Sequence, residues 1–296
     1  MYDHGHGVER DEEAAALWYE RAAKRGDAEA QLHLGMMAEN GRGMAASDEV
    51  ATWWYRKAAE QGRASAQFNL GVLVESGRGA EQSDGEASCW YRMAAEQGCA
   101  EAQFALGLML EEGRGCAPSP VEAAAWYVKA AEGGDADAQF RLGLLAKRGE
   151  GLPQSDASAA AWLSASADQG HAGAQFQLGV LLEHGKGVDQ SHEAAVAQYR
   201  KAAAAGLPAA QCIMGIVLQA GRGCGQDLGE AREWYLAAAA QGDDRAFFNL
   251  GVLFEDGLGV APDEAEALRW YIRAADAGNL RAQVRLGLIE VDDEGV

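Results

Sequence analysis

The sequence predicts an all-α fold in which antiparallel helix pairs stack into a solenoid. A glycine recurs every 36 residues, as at Gly35, Gly71 and Gly107, with no insertion or deletion between copies. A tryptophan recurs in the same phase from Trp18 onward and is replaced once, by Gln198. Repeats of this length stack because one helix pair cannot bury its apolar side alone. The glycine series continues with Gly143, Gly179, Gly215, Gly251 and Gly287, and the tryptophan series is Trp18, Trp54, Trp90, Trp126, Trp162, Trp234 and Trp270.

The regular spacing predicts one continuous solenoid of eight repeats over residues 9–296. Residues 1–8 are expected to be the tail of a truncated upstream repeat, because Tyr2 to Val8 resembles Phe254 to Val260. A chain that begins inside a repeat would lack whatever precedes it, a targeting segment included. The repeats are expected at residues 9–44, 45–80, 81–116, 117–152, 153–188, 189–224, 225–260 and 261–296.

Each repeat is expected to open with a capped helix. Ser83 to Glu86 has the form of a capping box, in which the serine oxygen accepts from the backbone three residues on and the glutamate reaches back to the serine N–H. Pro120 stands at the first helical position of its repeat, where a missing N–H is harmless. The same cap position holds Asp11, Ser47, Ser119, Ser155, Ser191, Asp227 and Asp263, and Glu122, Glu230 and Glu266 complete further boxes.

The first helix of a repeat carries a single apolar stripe. In the third repeat the stripe consists of Ala87, Trp90, Tyr91, Ala94 and Ala95. These residues follow the i, i+3, i+4, i+7, i+8 spacing that places side chains on one side of an α-helix. We expect this side of the helix to face the core.

Glycines are expected to end both helices of a repeat. Gly98 suits the left-handed conformation that ends the first helix, and the second helix starts at once. Within that second helix, Gly107 is expected to allow close approach of a neighbouring helix. The pair Gly113 and Gly115 closes the repeat, either as a tight turn or as a phosphate-binding loop, although the loop's strand and Walker lysine are missing. The second helix of the third repeat carries Ala102, Phe104, Leu106 and Leu110.

These residues resemble the Sel-one-like repeat (SLR) family, a branch of the tetratricopeptide-like α-solenoids. In the second repeat, Trp54 to Gly62, Ala66 to Gly71 and Gly77 to Gly79 nearly spell the family pattern. The resemblance implies a right-handed superhelix whose first helices line the concave surface. It also implies a non-catalytic scaffold or adaptor that binds a segment of a partner protein. The family's usual second-helix tyrosine is kept only at Tyr2.

The acidic composition argues against two classes of partner. A formal net charge of −20 would repel nucleic acid and the anionic surface of a membrane. No apolar run approaches the roughly 20 residues that a membrane-spanning helix needs. The five cysteines occupy unrelated repeat positions, which favours reduced thiols and a cytoplasmic location. We therefore expect a protein or peptide partner, with no nucleic acid and no direct membrane insertion.

The side of the first helix opposite the apolar stripe is the expected binding face. Arg56, Arg92 and Arg200 share one row across it and suit bidentate pairing with carboxylates of a partner. The alternative is that the first two arginines form ordinary helix pairs with the glutamates four residues further on. Trp53, at an otherwise variable position, is either a partner anchor or partial core folded over a neighbouring helix. Glu49 lies on the same face and completes the candidate site.

The sequence offers little for catalysis or metal binding. His192 and Glu193 begin a zinc-protease pattern, but Val196 stands where the second histidine is needed. His4 and His6 flank a glycine and are interpreted as solvated loop residues with at most incidental metal binding. We expect no enzyme activity, no metal and no cofactor. The alternative is a small-molecule-binding or hydrolytic role of the β-lactam type, known from cysteine-rich relatives whose regular cysteine pair this chain does not carry.

Three parts of the array are expected to differ from the rest. The sixth repeat lacks its buried tryptophan, a loss that typically costs about 3–5 kcal/mol, so residues 191–226 should be the softest module. The last repeat polarises its outer side with Glu290 and Asp293, as a terminal cap does. At the other end, Leu17 and Trp18 have no helix before them, which indicates missing upstream residues or self-association through this end.

Overall fold

The computed structural model describes residues 11–289, which form helices and no strand. The expected upstream tail, both N-terminal histidines, Glu290 and Asp293 lie outside the described residues. The chain forms two compact units, one ending at Gln154 and the other beginning at Ser155. The first unit contains α1 (Glu12–Ala23), α2 (Ala28–Asn40), α3 (Asp48–Glu60), α4 (Ala64–Ser76), α5 (Asp84–Glu96), α6 (Ala100–Glu112), α7 (Pro120–Glu132) and α8 (Ala136–Arg148). The second contains α9 (Asp156–Asp168), α10 (Ala172–His184), α11 (His192–Ala204), α12 (Pro208–Ala220), α13 (Leu228–Ala239), α14 (Asp244–Asp256), α15 (Glu264–Asp276) and α16 (Leu280–Arg285).

Odd-numbered helices are the first helices of the repeats and even-numbered helices are the second helices. Within each unit, consecutive helices pack against each other. The apolar stripe of α5 lies on the buried side as expected, with Tyr91 and three alanines almost inaccessible and Trp90 half-buried. The all-α prediction of stacked helix pairs is confirmed. The prediction that one solenoid runs through all eight repeats stays a prediction.

The first helices begin at the predicted caps, but one half of the predicted capping box is wrong. Ser83 Oγ accepts a hydrogen bond from the Glu86 N–H at 3.2 Å, as expected. The Ser83 N–H, however, already donates to the carbonyl oxygen of Val74, 3.1 Å away at the end of the preceding second helix. The Glu86 carboxylate instead accepts from the side chains of Arg56 and Trp90.

Both predicted glycine turns form. Gly98 has a φ of +90°, and Gly113 caps α6 with a φ of +69°. The N–H groups of Gly113 and Arg114 both donate to the carbonyl oxygen of Met109. These N–H groups pair with a carbonyl oxygen in the last turn of α6. In a phosphate-binding loop, the N–H groups would point at the anion instead. The tight-turn interpretation is the one that the geometry supports.

The recurring glycine of each second helix lies beneath a tyrosine ring of the next first helix. A β-carbon at Gly71 would lie only 2.6 Å from Tyr91 Cε1. The Tyr91 hydroxyl donates to Glu75 at 2.6 Å, and Arg114 donates to the other oxygen of that carboxylate at 2.5 Å. The expected close approach at this glycine is therefore confirmed, and its partner is the tyrosine. The same contact joins Gly35 to Tyr55, Gly107 to Tyr127, Gly179 to Tyr199, Gly215 to Tyr235 and Gly251 to Tyr271.

A row of buried glutamines, which the sequence analysis missed, connects the helices in a second way. Gln67 Nε2 donates to the carbonyl oxygen of Ala59 at 3.1 Å. Gln67 Oε1 accepts from Nε2 of Gln97, at the end of the next first helix, at 2.7 Å. Because buried amides need partners on both their nitrogen and their oxygen, this arrangement fixes each helix against two others. The same ladder pairs Gln61 with Gln31 and Gln241 with Gln211.

The ladder is interrupted where a first helix lacks its terminal glutamine, at Gly133, Ala205 and Ala277. Ala205 occupies the position of Gln97, and Gln175 Oε1 is consequently buried without a hydrogen-bond partner. Gln198, in the tryptophan position, is half-buried, and its Oε1 also has no partner. A buried polar atom without a partner costs about 1–3 kcal/mol. These two oxygens add a physical reason to the prediction that residues 191–226 form the softest module.

Restoring the regular residues is expected to stiffen the sixth repeat. Gln198→Trp combined with Ala205→Gln supplies the missing ring and the missing amide donor, and should raise the free energy of unfolding by about 2 kcal/mol. In hydrogen exchange, residues 191–226 of the wild type should exchange faster than residues 47–82, and the double variant should reduce that difference. Ala204→Gln places an amide on the exposed neighbouring position and should change nothing. Equal protection of both ranges in the wild type would contradict the prediction.

Candidate functional site

The exposed apolar side chains of the first unit concentrate on its first helices. Val50 and Trp53 on α3 are 41% and 53% exposed, Met93 on α5 is 43% exposed, and Val121 on α7 is 68% exposed. Within the described part of this unit, Met36 is the one large hydrophobic residue of a second helix that is exposed. We call the exposed side of α3, α5 and α7, which carries the first four side chains, the first-helix face.

The arginines of the candidate site pair with glutamates of the following repeat. Arg56 Nη1 donates to Glu86 Oε1 at 2.8 Å, and Arg92 Nη1 donates to Glu122 Oε1 at 2.5 Å. Each glutamate also accepts from the indole of its own helix, with Trp90 Nε1 3.0 Å from Glu86. The expected partners four residues along the same helix are therefore wrong for both arginines. In the second unit the same arrangement joins Arg200 and Trp234 to Glu230.

These contacts keep the glutamates ionised. The hydrogen bonds from Trp90 and Arg56 lower the pKa of Glu86. The hydrogen bond and positive charge of Arg92 lower the pKa of Glu122. Each of these arginines therefore has one guanidinium nitrogen engaged by a glutamate of the next repeat. Binding a partner's carboxylate through that same nitrogen would compete with a contact between repeats.

Trp53 lies at the surface of the first-helix face. Its ring packs edge-on against Trp54, with the ring centroids 4.2 Å apart, and Lys57 Nζ lies 5.9 Å from its centroid. Trp54, one residue later in the regular tryptophan position, is only 7% exposed. The contrast shows that the fold buries the second ring and leaves the first available. A partner contact at Trp53 stays a prediction.

Glu49 also lies on the exposed side of α3. The Ser47 hydroxyl donates to Glu49 Oε2 at 2.8 Å, and this hydrogen bond lowers the pKa of the carboxylate. Because Ser47 caps α3 with the same oxygen, the contact holds Glu49 near the start of the helix. The carboxylate remains exposed and ionised, and a role in partner binding stays a prediction.

Sequence reasoning missed three residues of this face. Val50 replaces the glutamate that pairs with arginine in the next two repeats. Met93 and Val121 are the chain neighbours of Arg92 and Glu122, so they flank one ion pair from both sides. The sequence did contain a signal for these residues. Each is an apolar residue on the side of its helix opposite the stripe of alanine and tyrosine.

Helix α1 presents a second exposed apolar patch. Leu17 is 47% exposed and Trp18 is 56% exposed, and the Arg21 guanidinium lies 4.9 Å from the Trp18 ring centroid. Both residues are exposed as the sequence indicated. Self-association through this end stays a prediction.

Residues 11–289 carry neither a metal-binding cluster nor a membrane-spanning helix. In that range there is no group of three or more histidine, cysteine or acidic side chains that could hold a metal ion, and no helix has the length and apolarity to cross a bilayer. All five cysteines are free thiols, with Cys89 exposed and Cys212 buried. Burial raises the pKa of the Cys212 thiol to about 12, which makes it a poor nucleophile.

Comparison with known proteins identifies the repeat. The Sel1 repeat family model matches residues 1–27, 28–62, 64–99, 100–135, 136–171, 172–207, 208–243 and 245–279. A protective antigen of uropathogenic Escherichia coli strains, c5321, displays an SLR fold and superimposes with a TM-score of 0.91 at 34% identity, over 97% of this chain and 62% of the antigen. A Sel1 repeat protein from Oxalobacter formigenes superimposes with a TM-score of 0.74 at 33% identity, over 93% of this chain and 80% of that one. No curated protein matches the chain.

Proposed function

The chain belongs to the Sel1 repeat family, and we propose that it is a non-catalytic scaffold that binds a segment of a partner protein on the first-helix face. Sel1 repeat proteins are generally scaffolds for protein interactions. The observation that carries the proposal is the set of exposed apolar side chains on α3, α5 and α7. A cytoplasmic location is part of the proposal and rests on the unpaired cysteines.

The chemistry of the face suits a protein partner. Tryptophan is enriched among the few residues that carry most of the binding energy in protein interfaces, and methionine is also enriched at interfaces. Trp53 and Met93 stand on helices whose neighbouring arginines are already fixed by ion pairs. A face held rigid before binding loses little conformational entropy when a partner arrives.

A small-molecule-binding or hydrolytic role has less support. Tyr91 and Tyr127, whose pKa values are strongly raised by burial, are each bonded to a glutamate between repeats, and Tyr235, raised in the same way, is bonded to Gln219. These groups hold the stack together, and none lies on the first-helix face. Turnover that disappears when one polar residue of that face is changed would favour the hydrolytic role, and stoichiometric capture of a protein favours the scaffold.

Truncating the apolar anchors is expected to abolish partner capture. The triple variant Trp53→Ala, Met93→Ala and Val121→Ala removes exposed side chains and leaves the contacts between repeats intact, so helical content should be unchanged. Because truncating one tryptophan anchor alone costs about 2 kcal/mol or more, affinity should fall by at least about thirtyfold. The measurement is affinity capture from native extract with quantitative mass spectrometry.

The matched control is Met36→Ala, which truncates an exposed apolar side chain on α2. Proteins that bind the first-helix face should be captured equally by the wild type and this control. Reversing the charge of Arg56 or Arg92 is a poorer test, because it also breaks an ion pair between repeats. Equal capture by all three proteins would show that binding occurs elsewhere.

A further inference from the structure

The charged side chains of the first-helix face fall into two groups. Its arginines, Arg56 and Arg92, are held by glutamates of the next repeat. The last residues of α3, α5 and α7 are Glu60, Glu96 and Glu132, all exposed. Within the described residues, these three carboxylates make no hydrogen bond or ion pair. The two arginines of the face are therefore paired with glutamates, whereas the three carboxylates at the helix ends have no cationic partner among the described residues.

These carboxylates lie on the same side of their helices as the apolar anchors. Glu60 follows Trp53 by seven residues, which is close to two turns of an α-helix. Glu96 follows Met93 by three residues, which places the two side chains one turn apart. An anchor and a carboxylate thus stand together on consecutive first helices.

Two lysines of the face reduce its negative charge only in part. Lys57 lies over Trp53, and Lys129 Nζ lies 3.7 Å from the centroid of Trp126. Both ammonium groups are thus placed against aromatic rings of the chain itself, a favourable contact for a cation. The four carboxylates at positions 49, 60, 96 and 132 outnumber the two lysines, and the whole chain carries a net charge of −20.

We propose that the segment bound on the first-helix face is a cationic protein segment. Its apolar side chains contact Trp53, Met93 and Val121, and its lysine or arginine side chains pair with the carboxylates of Glu60, Glu96 and Glu132. This inference rests on the proposed function and adds the chemistry of the partner. It reverses the expectation that the arginines of this face clamp a partner's carboxylates. Opposite charge across an interface speeds association and excludes acidic competitors.

Two labelled peptides test the proposal by fluorescence anisotropy. One repeats lysine, leucine and alanine, and the other repeats glutamate, leucine and alanine. The lysine peptide should bind the wild type. The triple variant Glu60→Gln, Glu96→Gln and Glu132→Gln should bind it about tenfold more weakly at low salt. High salt should shrink that difference, because exposed charges are screened. The glutamate peptide should not bind.

A charge-matched control separates this face from the general acidity of the chain. Glu81→Gln, Asp189→Asn and Asp256→Asn together remove the same charge from exposed positions elsewhere, and this variant should bind the lysine peptide as tightly as the wild type. Equal weakening in both triple variants, or preference for the glutamate peptide, would overturn the proposal. The capture experiment with the apolar variant is a separate test. If that variant loses its partners while the glutamate-to-glutamine variant binds the lysine peptide normally, the proposal of a cationic segment is wrong and the proposed scaffold function still holds.

Discussion

Replacing Gly115 with alanine is expected to lower the free energy of unfolding by about 3 kcal/mol or more. Gly115 has a φ of +68°, a conformation that costs an L-residue about 1–2 kcal/mol. Its β-carbon would also lie 2.1 Å from the carbonyl oxygen of Asp84. That oxygen belongs to the first turn of α5, so the clash can be relieved only by moving the backbone of the helix.

Gly98→Ala separates these two contributions in the same repeat. Gly98 has a φ of +90°, but a β-carbon there would meet nothing within 4 Å. This variant should lose only the conformational part, about 1–2 kcal/mol. Urea unfolding followed by circular dichroism measures both variants. Equal losses would mean that the packing of the closing turn against α5 contributes nothing.

Tyr91→Ala is expected to cost about 3–5 kcal/mol, the range for removing a large buried ring. Tyr91 is 1% exposed and its ring covers Gly71 of the preceding repeat. Removing it leaves a cavity between α4 and α5 and takes one hydrogen-bond donor from Glu75. Because the contact joins two repeats, hydrogen exchange should increase in both of them.

Tyr91→Phe is the matched control, because it keeps the ring and removes only the hydroxyl. Glu75 would retain the hydrogen bond from Arg114, so the loss should be about 1 kcal/mol. Thermal unfolding of the two variants gives the comparison. A phenylalanine variant as unstable as the alanine variant would show that the hydroxyl bond, and not the packing on glycine, holds the junction.

Much of the fold was predictable because the same sequence pattern recurs in eight repeats. The cap at Ser83, the stripe that includes Tyr91 and the glycines at 98 and 113 each follow a local rule, and the structure places all of them as expected. The reciprocal half of the capping box was wrong for a non-local reason. The Ser83 N–H donates to the carbonyl oxygen of Val74, and no local sequence pattern predicts that hydrogen bond.

The candidate site was harder to predict for the same reason. Arg56 has one glutamate four residues along its own helix and another thirty residues further on, and sequence spacing favours the nearer one. Stacking brings Glu86 to 2.8 Å and decides the pairing. Trp53 was singled out in the sequence because it departs from the repeat, whereas Met93 and Val121 were not, because exposed apolar residues are common on protein surfaces. Exposure, which the sequence does not give directly, distinguishes them.

Binding on the first-helix face is tested most directly by the ratio of protein captured by the Trp53→Ala, Met93→Ala, Val121→Ala variant to protein captured by the wild type. The Met36→Ala variant sets the reference, and circular dichroism confirms equal helical content. We predict that specific partners captured by the wild type and the reference are almost absent with the triple variant. The same partners in equal amounts with all three proteins would contradict a binding site on the first-helix face.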